Sequence, residues 1–208
     1  MAPRTYRQDR RTAARADTRR RILDATAALH AKKGVLATSY ADIAAMADVA
    51  VPTVYNHFPD RQTLLHGCVS HVSAQAPPVP DDLFAGARSL PQRVEAAVGA
   101  LFAAYAFFRP WLIWTLREIG QLPELAFVEA ARTQTRTTLV RQALAPSFRG
   151  RPTAELLAIA GALVDFPSWL NLAEACGVNR APRVASEALV VLAQHYRSRR
   201  KTARPKES

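Results

Sequence analysis

The sequence predicts an all-α protein of about nine helices, and three observations predict it. Apolar residues recur at helical spacing along most of the 208-residue chain. No segment alternates with the two-residue period of a half-buried strand. No repeat or glycine-rich phosphate loop interrupts the pattern. With 49% of its residues apolar, the chain can bury the core of one or two compact domains.

Residues 1–16 are rich in arginine and alanine without apolar periodicity and read as a flexible basic arm. Asp17 or Thr18 then caps a helix running to about Lys33, with Ile22, Leu23, Thr26, Ala27 and Leu29 on one face. Gly34 stops it, after two lysines that suit the negative end of the helix dipole. Ser39 opens a short second helix to about Ala47. The S-x-x-D pair of Ser39 and Asp42 reads as a capping box before Ile43 and Ala44. Asp48-Val49-Ala50 is a tight turn. A third helix begins near Val51, with Pro52 in its first turn where a missing N–H costs nothing, and ends at Phe58-Pro59. Asp60 caps a fourth helix containing Leu64, Leu65 and Val69, which stops before Pro77-Pro78-Val79-Pro80, the expected domain boundary.

Beyond the boundary a long apolar segment runs from Ser89 to Phe108 and is expected to break at Arg109-Pro110. Trp111 to Ile119 reads as a separate short helix, and Pro123 begins another to about Leu144, ended by Pro146. Thr153 caps a helix expected to reach about Ala175, with Gly177 as its stop. Ala181-Pro182 starts the last helix, expected to fade at residue 197 into a basic tail, 198–208.

The net charge of +11 is unevenly placed. Residues 1–66 hold 11 Lys and Arg against 6 Asp and Glu, and residues 197–208 hold 6 against 1, so each end carries +5 around a nearly neutral body. Arginine beside a compact helical unit is what neutralisation of nucleic-acid phosphates requires; a solvated tail is the plainer reading of residues 200–208.

Three short helices joined by tight turns must share one core, because none is stable alone. Ile43, Ala44, Ala47, Val49, Val54 and Tyr55 supply it, and the small alanines let the second and third helices cross closely. That is the requirement of a helix-turn-helix, whose second helix is offered to the major groove of DNA.

Residues 22–65 resemble the N-terminal domain of the tetracycline-repressor (TetR) family of bacterial transcription regulators. The resemblance rests on Ile22-Leu23-Asp24-Ala25, Gly34, Thr38-Ser39, Asp42-Ile43-Ala44, Ala47, Val49, Thr53-Val54-Tyr55-Asn56-His57-Phe58-Pro59 and Leu64-Leu65. Asp48 stands where the family usually has a turn glycine, Ala50 where it has a capping serine, Arg61 where lysine is common, and His30 where phenylalanine is usual.

The resemblance, together with side-chain chemistry, implies the following roles. Val51, Pro52, Thr53, Asn56 and His57 line the groove-facing side of the recognition helix, where Thr53 meets a thymine methyl or base edge and Asn56 and His57 hydrogen-bond bases or phosphates. Tyr55 places its hydroxyl on a phosphate or packs in the core. Thr38, Ser39, Tyr40 and Arg61 are phosphate-contact candidates, and Phe58 is a core residue. The partner implied is double-stranded operator DNA.

The resemblance further implies that residues 17–76 form the DNA-binding domain with its linking helix, and residues 81–197 a helical effector-binding and dimerisation domain. The effector is expected to be an apolar or aromatic small molecule, with Phe107, Trp111, Trp114 and Trp169 lining its pocket and Arg117, Glu118 and Asp165 as polar candidates. A plain hydrophobic core is the competing reading of each aromatic. The last two expected helices, 153–175 and 181–197, are apolar on more than one face (Leu156, Leu157, Ile159, Ala160, Leu163 and Val164 on one; Leu189, Val190, Leu192 and Ala193 on the other). They are expected to pair with their copies in a homodimer matching a palindromic operator.

Other classes find less support. Cys68 and Cys176 are too far apart in sequence to suggest a disulfide framework, and His66-x-Cys68-x-x-His71 scatters its side chains around a helix rather than converging on a metal. No cofactor is expected. No Ser-His-Asp, paired-carboxylate or nucleotide-loop pattern suggests an enzyme. With no run of 18 apolar residues and no apolar leader, no membrane segment is expected, and the protein is expected in the cytoplasm. A repressor released by its ligand is the leading expectation. An activator or dual regulator of the same family, or a nonspecific architectural DNA binder, are the alternatives.

Overall fold

The computed structural model describes residues 4–149 and 151–202. Among them are nine α-helices and no strand: α1 (Arg4–Lys33), α2 (Tyr40–Ala47), α3 (Val51–His57), α4 (Arg61–Ser73), α5 (Leu90–Glu118), α6 (Ala126–Leu144), α7 (Ala154–Leu163), α8 (Phe166–Cys176) and α9 (Ala181–Thr202). Short 3-10 turns occupy Pro123–Leu125 and Ala145–Phe148. The helices gather into two compact units. The first comprises residues up to Ala76 together with Arg109–Val128; the second comprises Pro77–Phe108 and the chain from Glu129 onward.

In the first unit, Ile22, Leu23 and Leu29 of α1, Ile43, Ala44 and Ala47 of α2, Val54 of α3 and Leu64, Leu65 and Cys68 of α4 are all buried. The 109–128 segment closes this unit through polar anchors as well as apolar ones. The indole N–H groups of Trp111 and Trp114 donate to the carbonyls of Ala27 and Ala31 at 2.9 and 3.1 Å. The Glu118 carboxylate, 5% exposed, accepts from the backbone N–H of Val35 at 2.9 Å. That N–H lies just past the end of α1, so Glu118 satisfies a donor that burial would otherwise strand. Gly34 allows this approach. Its φ of 80° is left-handed, and a Cβ there would overlap the Glu118 carboxylate and come within 2.8 Å of the Trp114 ring. Leu65, Leu122 and Leu125 form a further buried cluster, with Val35, Ile119, Phe127 and Val128 packed against it.

The second unit is built on the first part of α5, whose Val94, Val98, Leu101, Phe102 and Tyr105 are buried. α6 contributes Leu139, Val140, Ala143 and Leu144, and α7 and α8 contribute Leu156, Ala160, Phe166 and Trp169. α9 packs on α7 and α8 through Ala181, Ala185, Leu189 and Ala193, a stripe at four-residue spacing.

Four expectations are corrected. Helix α1 begins at Arg4, so residues 4–16 are helical rather than a flexible arm, and neither Asp17 nor Thr18 is a cap. Alanine and arginine are strong helix formers, and Asp17 bonds forward to Arg20 at 2.7 Å instead of turning the chain. The expected break at Arg109-Pro110 is absent, since α5 passes through Pro110. Proline deletes the bond to the carbonyl of Ala106, and both residues are exposed, which leaves that carbonyl within reach of water. The single helix expected over 153–175 is two, bent by 45°. Asp165 is the N-cap of α8, its side chain accepting from the Ser168 N–H at 2.9 Å, and Pro167 follows in the first turn. Helix α9 runs to Thr202, past the expected start of the tail at 198. The remainder of that tail, like residues 1–3 of the expected arm, lies outside the described residues.

By length and composition α5 is apolar enough to cross a membrane, although it holds no unbroken run of 18 apolar residues, on which the expectation of no membrane segment rested. Its buried side chains instead serve the cores above.

Candidate nucleic-acid interface

The chain builds the helix-turn-helix from its caps inward. Ser39 adopts the extended N-cap conformation, and its hydroxyl accepts from the Asp42 N–H at 3.1 Å. Asp42 returns the bond, accepting from the Ser39 N–H at 2.8 Å, and pairs with Lys33 at 2.9 Å. The Ser39 N–H first, then Lys33 and the Ser39 hydroxyl, hold the Asp42 carboxyl well below the usual carboxylate range. Asp48 ends α2 in the left-handed region, with φ 52° and ψ 55°. Arg21 of α1 donates to the carbonyls of Ala47 and Asp48 at 2.8 and 3.3 Å, clamping the turn from behind. The N-cap of α3, Ala50, has the extended backbone of a cap but no side-chain bond. Asp60 caps α4 by accepting from the Thr63 N–H at 2.7 Å.

These constraints give α3 one buried and one open face. Val54 and the adjoining Phe58 are fully buried. Val51, Pro52, Tyr55 and Asn56 are exposed, and Thr53 and His57 are half-buried. Tyr55 is 52% exposed, and its ring lies 4.5 Å from that of Tyr40, centroid to centroid. The Tyr40 hydroxyl donates to the Phe58 carbonyl at 3.1 Å, so that group locks the end of α3 to the start of α2. Burial first, then the charge of Asp60, pushes the Tyr40 phenol up. Five of the expected contact residues, Thr38, Ser39, Tyr40, Tyr55 and Arg61, line one groove of about 320 Å³ whose wall also includes His30 and Leu64.

Two cations missed in the sequence stand beside this surface. Burial lowers the His57 pKa, and the charges of Arg15 and Arg19 lower it further. The Arg19 guanidinium also sits 4.9 Å from the centre of the Phe58 ring. Arg11, Arg15 and Arg19 recur every four residues, a helical spacing that was legible once residues 4–16 are read as helix.

The expected effector residues divide between the two units. Trp111, Trp114 and Glu118 are in the first, each bonded to α1 or the backbone just after it. Arg117 lies there too, exposed, its guanidinium 5.3 Å from the centre of the Trp114 ring. Phe107, Asp165 and Trp169 are in the second. Phe107 is half-buried edge-on to Phe108, Asp165 is the α8 cap, and Trp169 is a core residue stacked on Phe166.

A short capped helix, a left-handed turn and a second helix with its polar face open make this unit a helix-turn-helix of the DNA-binding class. Residues 22–68 match the family model described as bacterial regulatory proteins, tetR family. Residues 22–68 are thus a DNA-binding domain of the TetR type, the domain of a family of transcription regulators. No curated protein sequence matches the chain.

Proposed function

We propose that this regulator is a homodimeric repressor that binds a palindromic operator and is released by a small-molecule effector. The observation that carries the reading is the open face of α3, where Val51, Pro52, Tyr55 and Asn56 are exposed on a helix fastened by Val54 and Phe58. Val51, Pro52, Thr53, Asn56 and His57 would meet base edges. Tyr55, Thr38, Ser39, Tyr40 and Arg61 would meet phosphates. A cytoplasmic location goes with this proposed work on DNA.

The proposed dimer surface lies on α7–α9. Ile159 is 46% and Val191 65% exposed, beside exposed Ala158, Ala162 and Ala188. A second copy is the occupant that fits, because a two-fold pair presents two recognition helices to the two halves of a palindrome.

Release would run through α4. Its Leu65 packs with Leu122 and Leu125, and its His66 stacks on Phe127 at 4.1 Å. Phe127 is the second residue of α6, and the same helix continues to Leu144 in the second unit. A ligand favouring one position of α6 would thereby bias the position of α4, and with it the recognition helix.

Selection of bound sequences from random DNA with the purified protein tests the reading. A palindrome with fixed half-site spacing is expected. Binding without sequence preference, abolished by competitor DNA, would replace the regulator with an architectural protein.

A further inference from the structure

We infer that the exposed first turns of α1 form a second DNA-contacting surface, in which Arg11, Arg15 and Arg19 follow the phosphates flanking the half-site read by α3. This rests on the DNA-binding reading above and extends the contact beyond the helix-turn-helix.

Every residue of α1 from Gln8 to Asp17 is exposed, and the first buried one is Ile22. Those ten residues make about 15 Å of helix with no core behind them. A stretch that is polar and open all round gains nothing from packing, so its side chains are available to a partner.

The charges on this stretch are sorted by face. Asp17 pairs with Arg20 at 2.7 Å and with Arg21 at 3.4 Å, and Asp24 takes the other arm of Arg20 at 3.0 Å. Arg11, Arg15 and Arg19 recur every four residues and so share a different face. Asp9 stands two residues from Arg11, and Asp17 two residues from both Arg15 and Arg19, a spacing at which side chains do not meet. None of the three arginines pairs with a carboxylate among the described residues. The acids therefore neutralise one side of the helix and leave a cationic stripe on the other.

That stripe begins at the recognition helix. The Arg19 guanidinium sits 4.9 Å from the centre of the ring of Phe58, the residue that ends α3. Burial holds down the protonation of His57, and the charges of Arg15 and Arg19 add to it, so both stand near the last turn of α3. From there the stripe leads away along α1 to Arg11. Eight residues of helix advance about 12 Å, which is the rise of about three to four base pairs along one DNA strand.

The occupant is duplex DNA, because the stripe continues the face that presents Asn56 and His57 and has the charge that DNA lacks. Guanidinium groups bind phosphate oxygens through paired N–H donors. Contacts of this kind carry no base information, so the stripe adds affinity whatever the flanking sequence.

The test uses the full chain and the palindrome selected from random DNA, prepared with eight arbitrary base pairs on each side and also trimmed to its own ends. At fixed salt the wild type is expected to bind the long duplex about tenfold or more tightly than the trimmed one, for any flanking sequence. Arg11→Gln with Arg15→Gln should abolish that gain while keeping the preference for the palindrome over a scrambled centre. Glutamine preserves helix propensity, and both positions are exposed. Arg11→Lys with Arg15→Lys, which keeps the charges, should retain most of the gain. Arg10→Gln with Arg20→Gln removes the same charge away from the stripe and should leave the gain intact. Equal binding of long and trimmed duplexes, a gain that survives the Arg11 and Arg15 glutamine pair, or an equal loss in the Arg10 and Arg20 pair each overturns the inference and leaves the regulator standing. A scrambled centre bound as tightly as the palindrome overturns the operator reading instead. The stripe is then judged by the two glutamine pairs compared on the long duplex, where equal affinities overturn it.

Discussion

His30 shows how a single side chain sets a property of the whole fold. It lines the groove beneath the Tyr40–Tyr55 pair, and its Nδ1 lies 3.9 Å from the buried Cys68 sulfur. Burial pushes its pKa down to about 4, so it stays neutral in the folded state at pH values where the unfolded chain is protonated. With the unfolded value near 6.5, its contribution is unaffected above that pH and is lost as pH falls from 6.5 toward 4. The slope is about 1.4 kcal/mol per pH unit, or about 3 kcal/mol over the window. Urea unfolding at pH 7.5 and 4.5 should show this loss, and His30→Phe should remove most of it; an unchanged slope would mean the imidazole is not buried neutral. Tyr55 and Asn56 belong to the same scale. Asn56→Ala and Tyr55→Ala should each weaken operator binding about tenfold or more without altering dimerisation, measured by gel shift and sedimentation. The open position of Asn56 on α3 could be read from helical spacing, whereas Tyr55, expected among the core residues, is exposed beside Tyr40. The role of Glu118 was not legible, since its partners lie more than 80 residues away.

At the scale of elements, what could be read from the sequence was whatever is decided within a few residues. The Ser39–Asp42 capping box, the Asp60 cap and the left-handed Asp48 all depend on neighbours three or four positions away. The breaks were misread where local signals compete with packing. Pro110 looks like a helix end but is tolerated on an exposed side of α5, whereas the D-F-P-S pattern at 165–168 looks like helix interior and is an end. Ala50 offers a direct test of local capping. Its φ of −74° and ψ of 146° already suit a capping residue, so Ala50→Ser should stabilise the protein by about 1 kcal/mol, read as a higher urea midpoint. No gain would mean the serine hydroxyl does not engage the Thr53 N–H, which already donates to the Ala50 carbonyl at 2.9 Å. The contact of His66 with Phe127 makes a separate prediction. Phe127→Ala should leave operator affinity within about threefold of wild type yet reduce the change an effector produces, by about 1 kcal/mol of coupling. Full retention of that change would remove α4 from the release route.

For the molecule as a whole, charge and chain path matter most. The basic ends were visible in composition, but the helical spacing that brings Arg15 and Arg19 to the side of His57 was hidden by reading residues 4–16 as unstructured. If both arginines neutralise phosphates, the Arg15→Ala and Arg19→Ala double variant should flatten the salt dependence of operator binding by about two units of log–log slope; an unaltered slope would place them away from DNA. The division of the chain was only partly visible. The proline-rich boundary at 77–80 marks the first crossing, and nothing in the sequence announces the return at Arg109. That return has a consequence for inheritance. The DNA-reading unit is not a contiguous cassette, because its closure depends on Trp111, Trp114 and Glu118 as well as on residues before the prolines. Recombination at the proline-rich boundary would carry away the recognition helix without the residues that fasten α1. A new specificity can be exchanged between relatives only if residues 109–128 travel with it or already match in the recipient, which favours change by point substitution on α3 over the shuffling of whole domains.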